Sequence, residues 1–306
     1  MKTLIKRSIA MLVLVLGVLI SSYGQTTNSQ SFDGTFPPSG WTSTPASSGL
    51  TWSGVTTGGS PACAPHSGAG MAKCNSFSVS SGTALLITPV IDYTMRGANT
   101  PTVSFWMYRD GGYSTTADNV TVYVNTTNTT TGATNLGVVN RSRNLAPIVA
   151  TNGWYQYSFD IPAAFAGSTN YLLFAGNSFY GNNMYLDDIV YISYPIPPPG
   201  TFTGLVTNGI TGVPIPGVNV TAGGLTATTG DDGTYNLLLP GLTYDVVFTK
   251  VGFQSVTVLA QTIISGGFTT VDAQMYENAI APAVITALVN PLDTQCDVTW
   301  TAPFGP

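Results

Sequence analysis

The chain of 306 residues has nine Lys and Arg and fourteen Asp and Glu, so only 8% of it is charged, against about 25% in an ordinary soluble domain. It has one glutamate, Glu277, and one histidine, His66, which excludes paired-glutamate hydrolysis, multi-histidine metal catalysis and a Ser-His-Asp site away from His66. The formal net charge of −5 disfavours binding to nucleic acid and to anionic membranes. We therefore expect a protein that is not an enzyme, with room for about two domains.

The first 24 residues have the pattern of a secretory signal peptide. They combine three cations, an apolar run at residues 9–20 and small residues before Gln25, where we predict cleavage. The alternative is an uncleaved membrane anchor, but the apolar run is shorter than the roughly 20 residues that span a bilayer. We expect a mature chain without a membrane span, located outside the cell or on its surface, with six basic against fourteen acidic residues.

Export would place Cys63 and Cys74 in an oxidising compartment, where a disulfide between them would close a short loop rich in Gly and Pro. The alternative is a metal or thiol-nucleophile site of Cys63, His66 and Cys74, because an imidazole beside a thiol can activate it. The absence of a fourth soft ligand favours the disulfide. Cys296 is left without a predicted partner.

The next 170 residues show the period of two that is typical of β-strands. Residues 119–125 place three valines on one face, and residues 154–161 alternate apolar and polar side chains. Residues 102–108 and 171–175 are apolar on both faces, which predicts inner strands. No helical stripe extends beyond about two turns, so we predict an all-β fold throughout.

A proline-rich segment at 196–200 predicts a semi-rigid linker. It would separate a domain at 25–195 from a second at 201–277. In the second domain, the Asp-Gly pair within 230–233 predicts a hairpin of the strands on either side. Residues 278–306 contain two further strand patterns, too few to bury a core, so we expect a domain that is truncated or whose last strands are unpaired.

The first domain resembles the cleaved-adhesin or choice-of-anchor J family. The resemblance rests on FDGTFPPSGW at 32–41, YLDDI at 185–189 and three segments between them, at 65–72, 86–92 and 103–108. It implies a jelly-roll β-sandwich, related to MAM domains and carbohydrate-binding modules, with its first and last strands side by side. It also implies an adhesion or binding protein of a Bacteroidetes-like bacterium, with an extracellular glycan or protein ligand and a type IX sorting signal beyond Pro306.

The second domain resembles the carboxypeptidase regulatory-like family, which has a smaller, transthyretin-like β-sandwich. The matching segments include TTGDDGTY at 228–235 together with 204–207, 212–220, 240–244 and 252–253. Despite the name, this module is not a peptidase and has no zinc ligands here. The segment from residue 281 is similar to the first strands of a fibronectin type III domain, with Trp300 in the place of the core tryptophan.

Two adjacent carboxylates, Asp187 and Asp188, lie in the predicted strand at 184–192. Strict alternation puts them on opposite faces, both otherwise apolar, so one carboxylate would turn inward. A buried unpaired carboxylate costs several kcal/mol, basic partners are scarce, and calcium prefers carboxylate and carbonyl oxygens. We therefore predict a structural Ca²⁺ site with Asp187 and Asp188, and with Asp33, whose part is implied by the resemblance. The alternative needs no metal: one aspartate caps the strand end in water and the other accepts backbone N–H bonds.

Ligand contacts are expected on the polar, Gly-rich loop at 109–119, since recognition loops commonly project from a rigid sandwich. The candidate contact residues are Tyr113, Trp52 and Asp118. Most aromatic residues belong to the core, so we expect at most two of five candidates to be exposed, the others being Trp41, Trp154 and Tyr180. The alternative role for Asp118 is to fix a turn.

Two functions from different classes are consistent with these patterns. The first is a secreted or cell-surface adhesion protein whose jelly roll is stabilised by calcium. The second is an accessory, non-catalytic part of a larger secreted hydrolase, of which a peptidase is the first example to consider. A zinc or Ser-His-Asp motif beyond Pro306 would favour the hydrolase, and further fibronectin-like repeats would favour adhesion.

Overall fold

The computed structural model describes residues 25–278, 285–289 and 296–300. The predicted signal peptide at 1–24 lies outside the described residues. In the described part, all regular structure is β-strand apart from one 3-10 turn at Ser76–Ser78, which confirms the all-β prediction. Within the same part of the chain, no helix has the length and apolar character needed to cross a membrane.

Eleven strands form the first unit. In chain order they are β1 Thr26–Gln30, β2 Thr42–Thr44, β3 Trp52–Val55, β4 Met71–Cys74, β5 Gly82–Ile87, β6 Thr102–Arg109, β7 Asn119–Asn125, β8 Thr134–Asn140, β9 Gly153–Asp160, β10 Tyr171–Ser178 and β11 Met184–Ser193. Sheet 1 has the order β3-β4-β11-β6-β9, with β1 also paired to β11, and sheet 2 has the order β2-β5-β10-β7-β8. The first and last strands, β1 and β11, are antiparallel neighbours, as the resemblance implied.

The core of the first unit fills the space between the two sheets. The side chains of Val120, Val122 and Val124 on β7 are fully buried there, and on β9 the exposed residues are the polar ones of the alternating pattern. Strands β6 and β10 each lie between two partners, which confirms the prediction of inner strands. The period of two was therefore sufficient to assign the buried faces of these strands.

Strand β11 departs from the strict alternation that the sequence predicted. Its pairing with β6 shifts register between Asp187 and Val190, and Asp188 has a left-handed backbone with φ 45°. Leu186 and Ile189 therefore both face the core, three positions apart, and neither aspartate turns inward. The expectation that one carboxylate must enter the core between the sheets was wrong because a β-bulge resets the alternation between the two core residues. Asp187 is nevertheless fully buried, beneath the residues His66 and Ser67 that it binds.

The second unit consists of eight strands in two sheets. They are β12 Pro199–Asn208, β13 Asn219–Ala222, β14 Leu225–Thr228, β15 Thr234–Pro240, β16 Thr243–Thr249, β17 Val256–Thr262, β18 Phe268–Thr270 and β19 Ala273–Met275. One sheet has the order β15-β12-β18, with β19 also on β12, and the other has the order β14-β13-β16-β17. Strand β12 begins at Pro199 and pairs with Pro240, so it includes two residues that we assigned to the linker.

The predicted hairpin around 230–233 is not formed. Strand β14 pairs with β13 and strand β15 pairs with β12, so the two flanking strands belong to different sheets. The turn itself is present, since the Gly233 N–H donates to the Gly230 carbonyl, and Gly233 also accepts a bond from the Val206 N–H on β12. The Asp-Gly pair thus correctly predicted where the chain turns. It did not predict which strands pair, because that depends on how the two sheets pack against each other.

Each unit has its own apolar core. One cluster of buried residues lies within 32–194 and the other within 202–275. In the third predicted segment, two strands are described, β20 Ile285–Val289 and β21 Cys296–Trp300, and they pair antiparallel. The rest of the predicted fibronectin-like segment lies outside the described residues.

The predicted disulfide between Cys63 and Cys74 is wrong, because both are free thiols on opposite sides of sheet 1. The Cys74 sulfur points between the sheets, where a Cβ added to Gly176 of sheet 2 would lie 2.7 Å from it. Cys63 belongs to a loop over the outer face, in which the Gly59 N–H donates to the hydroxyl of Tyr185. A bond between the two sulfurs would have to cross the sheet.

The alternative site of Cys63, His66 and Cys74 is not assembled either. Burial raises the pKa of the Cys63 thiol to about 12 and also raises the pKa of Cys74. Both thiols therefore stay protonated at neutral pH, and a protonated thiol is a poor nucleophile and a poor metal ligand.

Candidate functional site

The segment at 66–70, called here the aspartate-held loop, covers the outer face of sheet 1 and is bound by all three predicted aspartates. Asp33, which follows β1, accepts hydrogen bonds from the backbone N–H groups of Ala69 and Gly70 at 2.5 and 2.9 Å. Gly68 has φ +60°, and a Cβ there would lie 2.3 Å from the Asp33 carboxylate. Only glycine fits this position, since the carboxylate occupies the space of a side chain.

The other end of the aspartate-held loop is bound by the bulge of β11. Asp187 accepts bonds from the N–H groups of His66 at 2.8 Å, Ser67 at 3.3 Å and Asp188 at 2.8 Å. The Asp188 carboxylate lies 2.6 Å from His66 Nδ1 and accepts a bond from the Ser67 hydroxyl at 2.7 Å. The bulge thus directs both carboxylates to the same two residues of the loop.

The electrostatic environment of Asp187 is unusual for a carboxylate. Burial raises its pKa to about 6, and its backbone hydrogen bonds oppose that shift only in part. Among the described residues, no Lys or Arg forms an ion pair with Asp33, Asp187 or Asp188. The carboxylates on this face of sheet 1 are therefore held by backbone N–H groups, the Ser67 hydroxyl and the His66 ring rather than by Lys or Arg.

The aspartates are not arranged as one ligand cluster. Within the described residues, no group of three or more His, Cys, Asp or Glu side chains is placed to hold a metal ion. Asp187 accepts three N–H bonds, which is the role that the metal-free alternative gave to one aspartate. The Ca²⁺ site therefore stays a prediction.

His66 is also the only histidine that could serve a Ser-His-Asp site, and its contacts do not form one. The Ser67 hydroxyl donates to Asp188 rather than to the imidazole, so the serine is not hydrogen-bonded to a base that could take its proton. The His66 ring stacks on Trp106 of β6, with 3.8 Å between ring centroids. These contacts anchor the loop to the sheet.

A buried ionic cluster lies at one end of the first unit. Arg141 is fully buried, and its guanidinium donates to Asp110 at 2.7 Å and to the carbonyls of Gly112 and Tyr113 at 2.8 and 3.0 Å. Its Nε lies 3.7 Å from the carboxylate of Asp118, a pairing of charge without a hydrogen bond. Arg141 therefore fixes the path of the loop that carries Tyr113.

The two aspartates of this cluster fix a second segment, the turn after β10. Asp118 accepts bonds from the N–H groups of Phe179 at 2.8 Å and Gly181 at 3.0 Å. Asp110 accepts a bond from the Asn182 side chain at 2.8 Å. A Cβ added to Gly181 would lie 1.9 Å from the Asp118 carboxylate, so this turn requires glycine there.

Four exposed aromatic side chains lie on three neighbouring segments: Phe77 on the 3-10 turn, Tyr113 on the loop after β6, and Phe179 and Tyr180 on the turn after β10. We call these four residues the aromatic patch. Their exposed fractions are 41% for Phe77, 51% for Tyr113, 54% for Phe179 and 59% for Tyr180. The rings of Phe77 and Tyr113 meet edge to face at 6.3 Å between centroids. Tyr113 and Tyr180 have left-handed backbones with φ 46° and 68°, which is uncommon for residues with large side chains.

The three predicted ligand-contact residues differ in their exposure to solvent. Tyr113 is exposed within the patch. Trp52 is only 3% exposed and donates from its indole nitrogen to the Ala84 carbonyl at 3.0 Å, so predicting it as a contact was wrong; it belongs to the core. Asp118 is fully buried and likewise cannot touch a ligand. It positions the turn, the alternative role considered for it.

Arg141 and the patch members Phe77 and Phe179 were not predicted from the sequence. Nothing in their local patterns marks them, because the three segments of the site are brought together only by the sheets. One available signal was the scarcity of charge. In a chain with so few charged residues, Arg141 is a candidate for a buried arginine, and a buried arginine requires carboxylate partners. Tyr180 was considered as a stacking residue, and its exposure agrees with that suggestion.

Comparison with known families identifies the second unit. Residues 201–276 match the family described as carboxypeptidase regulatory-like domain, which confirms the second resemblance. No match was found among curated proteins.

Comparison with solved structures concerns the first half of the chain. A cleaved adhesin domain of Lys-gingipain from Porphyromonas gingivalis has 23% identity and a TM-score of 0.41, covering 56% of this chain and 99% of that one. Another cleaved adhesin domain of the same protein has 18% identity and a TM-score of 0.41, covering 56% and 99%. The C-terminal family 22 carbohydrate binding module of Clostridium thermocellum Xyn10B has 12% identity and a TM-score of 0.36, covering 55% and 93%.

The raised pKa of Asp187 predicts a specific pH dependence of stability. Its folded-state pKa of about 6 exceeds its usual value of 3.8. Between these two pH values the folded protein therefore binds more protons than the unfolded chain does. The contribution of Asp187 to the free energy of unfolding thus falls as the pH rises from about 4 to about 6. Asp187→Asn should remove that fall, which urea unfolding at successive pH values in chelator would measure. The exposed Asp160→Asn is the control and should keep it. A variant curve parallel to that of the wild type would contradict the assignment.

Proposed function

We propose that this chain is an extracellular, non-catalytic binding protein whose first unit contacts its ligand through the aromatic patch. The observation that carries the proposal is the pair of half-exposed tyrosines, Tyr113 and Tyr180, held in left-handed backbone conformations above a buried ionic cluster. Such conformations cost about 1–3 kcal/mol each and persist where surrounding structure over-determines them, as it commonly does at ligand sites.

The stabilising contacts in these loops are made below the patch. Arg141, Asp110 and Asp118 bind the backbone of the loops, whereas the four rings leave about half of their surface in water. Exposed aromatic rings are large, rigid contact surfaces that lose little conformational entropy on binding. The arrangement is therefore suited to contact with another molecule.

The proposed absence of catalysis is supported by the contacts of the few residues that could act as acid or base. The Ser67 hydroxyl beside His66 donates to Asp188 rather than to the imidazole, so this serine is not paired with the histidine as a nucleophile would be, and Glu277 accepts a bond from the Asn208 side chain in the second unit. The proposed location outside the cell is supported by the signal-peptide pattern of residues 1–24. In the same proposal, the second unit is a spacer that orients its neighbours.

We further propose that Ca²⁺ stabilises the first unit at the aspartate-held loop, with Asp33, Asp187 and Asp188 and backbone carbonyls as ligands. The donors are all oxygens and no fixed cation pairs with them, which suits a hard divalent ion. A cleft of about 480 Å³ is lined by Asp33, Gly34 and Gly70 among others and opens Asp33 to solvent; Asp187 and Asp188 do not line it. The bound ion would supply positive charge that ties the loop to β11.

The calcium proposal predicts a shift in melting temperature. A ligand at 100 times its Kd adds about 2.7 kcal/mol to stability, which for a unit of this size corresponds to about 5–10 °C. Calorimetry of the full chain should show a rise of that order in millimolar CaCl₂ over EDTA, lost in Asp187→Asn and kept in Asp160→Asn. A wild-type melting temperature that is the same in CaCl₂ and in EDTA would contradict the calcium proposal.

The binding proposal is tested by screening the full chain against immobilised extracellular polysaccharides and matrix proteins. Tyr113→Asn and Tyr180→Asn should each weaken binding of any ligand found by about tenfold, since each removes a stacking surface, while asparagine tolerates a left-handed backbone. Tyr276→Asn, at an exposed tyrosine of the second unit, is the matched control and should bind as the wild type does. Binding that both patch variants retain in full would contradict the proposal.

A further inference from the structure

We infer that the ligand of the aromatic patch is an uncharged glycan, an inference that rests on the binding function proposed above. It follows from the charge, the polar groups, the size and the rigidity of the three segments that form the patch, residues 75–79, 110–118 and 179–183. Each of these properties distinguishes a neutral sugar from a charged ligand or from a protein surface.

The exposed surface of these segments carries no charge. Their only ionisable residues besides the tyrosines are Asp110 and Asp118, which are 2% and 0% exposed. Both carboxylates are directed inward to Arg141 and to backbone N–H groups. A basic peptide would find no exposed carboxylate on these segments. A sulfated glycan would meet Arg143 beside Gly111, but that guanidinium is half-buried and already bonded to the Ala150 carbonyl, and electrostatic complementarity is what charged ligands require.

The groups that do reach solvent match the two kinds of surface on a sugar ring. The aromatic faces carry partial negative charge, which complements the weakly positive C–H groups on one side of a pyranose. Around the rings lie the exposed hydroxyl-bearing residues Ser78 and Thr115 and the partly exposed Asn182, neutral donors and acceptors for sugar hydroxyls. Apolar surface with a few neutral polar groups is typical of sites for uncharged small ligands.

The size of the patch also favours a glycan over a protein. A stable protein interface buries about 800 Å² on each side and involves about 20–30 residues, and it normally has a charged or polar rim. Four rings on three short segments are too small for that, but they match a contact with a few sugar units. We therefore infer a glycan ligand, and the experiment below includes proteins as alternative ligands.

Rigidity makes such a small contact effective. Arg141 and its two aspartates fix the loop of Tyr113 and the turn of Tyr180, and the Phe77 N–H donates to the Asn183 side chain at 3.1 Å. The rings are thus held in place before a ligand arrives. Preorganisation of this kind removes an ordering cost that would otherwise reduce affinity.

The test uses the full chain on an array of three probe sets. The first contains uncharged oligomers of glucose, xylose, galactose and mannose, the second contains uronate-bearing and sulfated oligosaccharides, and the third contains immobilised collagen and fibronectin. Binding is measured at 50 and 500 mM NaCl for the wild type, Tyr113→Asn, Tyr113→Phe, Phe179→Ser and the control Tyr276→Asn. Melting temperatures identify any variant that fails to fold, in which case Phe179→Ser, at a position with an ordinary backbone, decides.

The inference predicts binding to at least one uncharged oligosaccharide that changes less than about twofold between the two salt concentrations. Tyr113→Asn and Phe179→Ser should weaken it about tenfold, whereas Tyr113→Phe, which keeps the ring, and Tyr276→Asn should leave it within about twofold.

The other outcomes separate the two claims. Patch-dependent binding only to charged glycans or only to the proteins would overturn the glycan inference and leave the proposed function standing. Binding that is insensitive to Tyr113→Asn and Phe179→Ser would overturn both claims, as would the absence of binding in all three sets.

Discussion

The organisation of the candidate site depends on the buried guanidinium of Arg141. In a sandwich interior a charge is tolerated when it is paired and hydrogen-bonded. Arg141 is hydrogen-bonded to the Asp110 carboxylate and to two backbone carbonyls, and the Asp118 carboxylate, 3.7 Å from its Nε, adds a second opposite charge without a hydrogen bond. Its partners lie in the loop after β6, and two of them, Asp110 and Asp118, in turn accept hydrogen bonds from the turn after β10, so the guanidinium fixes the loop directly and the turn through these carboxylates. Tyr113 and Tyr180, the two exposed tyrosines with left-handed backbones, lie in the segments held in this way: the Tyr113 carbonyl accepts a bond from Arg141, and the N–H groups on either side of Tyr180 donate to Asp118.

On the outer face of sheet 1, by contrast, the described carboxylates are hydrogen-bonded without an arginine or lysine partner. Asp33 and Asp187 accept bonds from backbone N–H groups of a loop that crosses the face, and Asp188 accepts a bond from the Ser67 hydroxyl of that loop; the bulge in β11 keeps the latter two out of the core. The two regions use the same chemistry in different ways. In the first region a carboxylate is hydrogen-bonded to an arginine, whereas on the outer face of sheet 1 the carboxylates are held by backbone N–H groups and a hydroxyl.

Much of the fold could be predicted because period-two burial is a local property. The valines of β7 and the inner position of β6 and β10 follow from their own residues. Three features did not follow, since each depends on contacts between distant segments. The bulge at Asp188 breaks the alternation, the strands beside Gly233 pair in different sheets, and Cys63 and Cys74 lie on opposite faces of one sheet. In the candidate site, Tyr113 was predicted from its loop, but Arg141 was not, because its partners Asp110 and Asp118 become neighbours only after the sheets form.

The most direct measurement of the central claim is amide hydrogen exchange in Arg141→Gln, compared with wild type and with Arg143→Gln, a half-buried arginine outside the cluster. Removing one partner of a buried ion pair costs about 3–5 kcal/mol, and the loss should appear where the guanidinium is bonded. We expect residues 110–118 and 179–183 to lose protection together in Arg141→Gln, while β6 and β10 keep theirs and Arg143→Gln resembles the wild type. Unchanged protection in either segment would contradict the claim that one buried charge holds both.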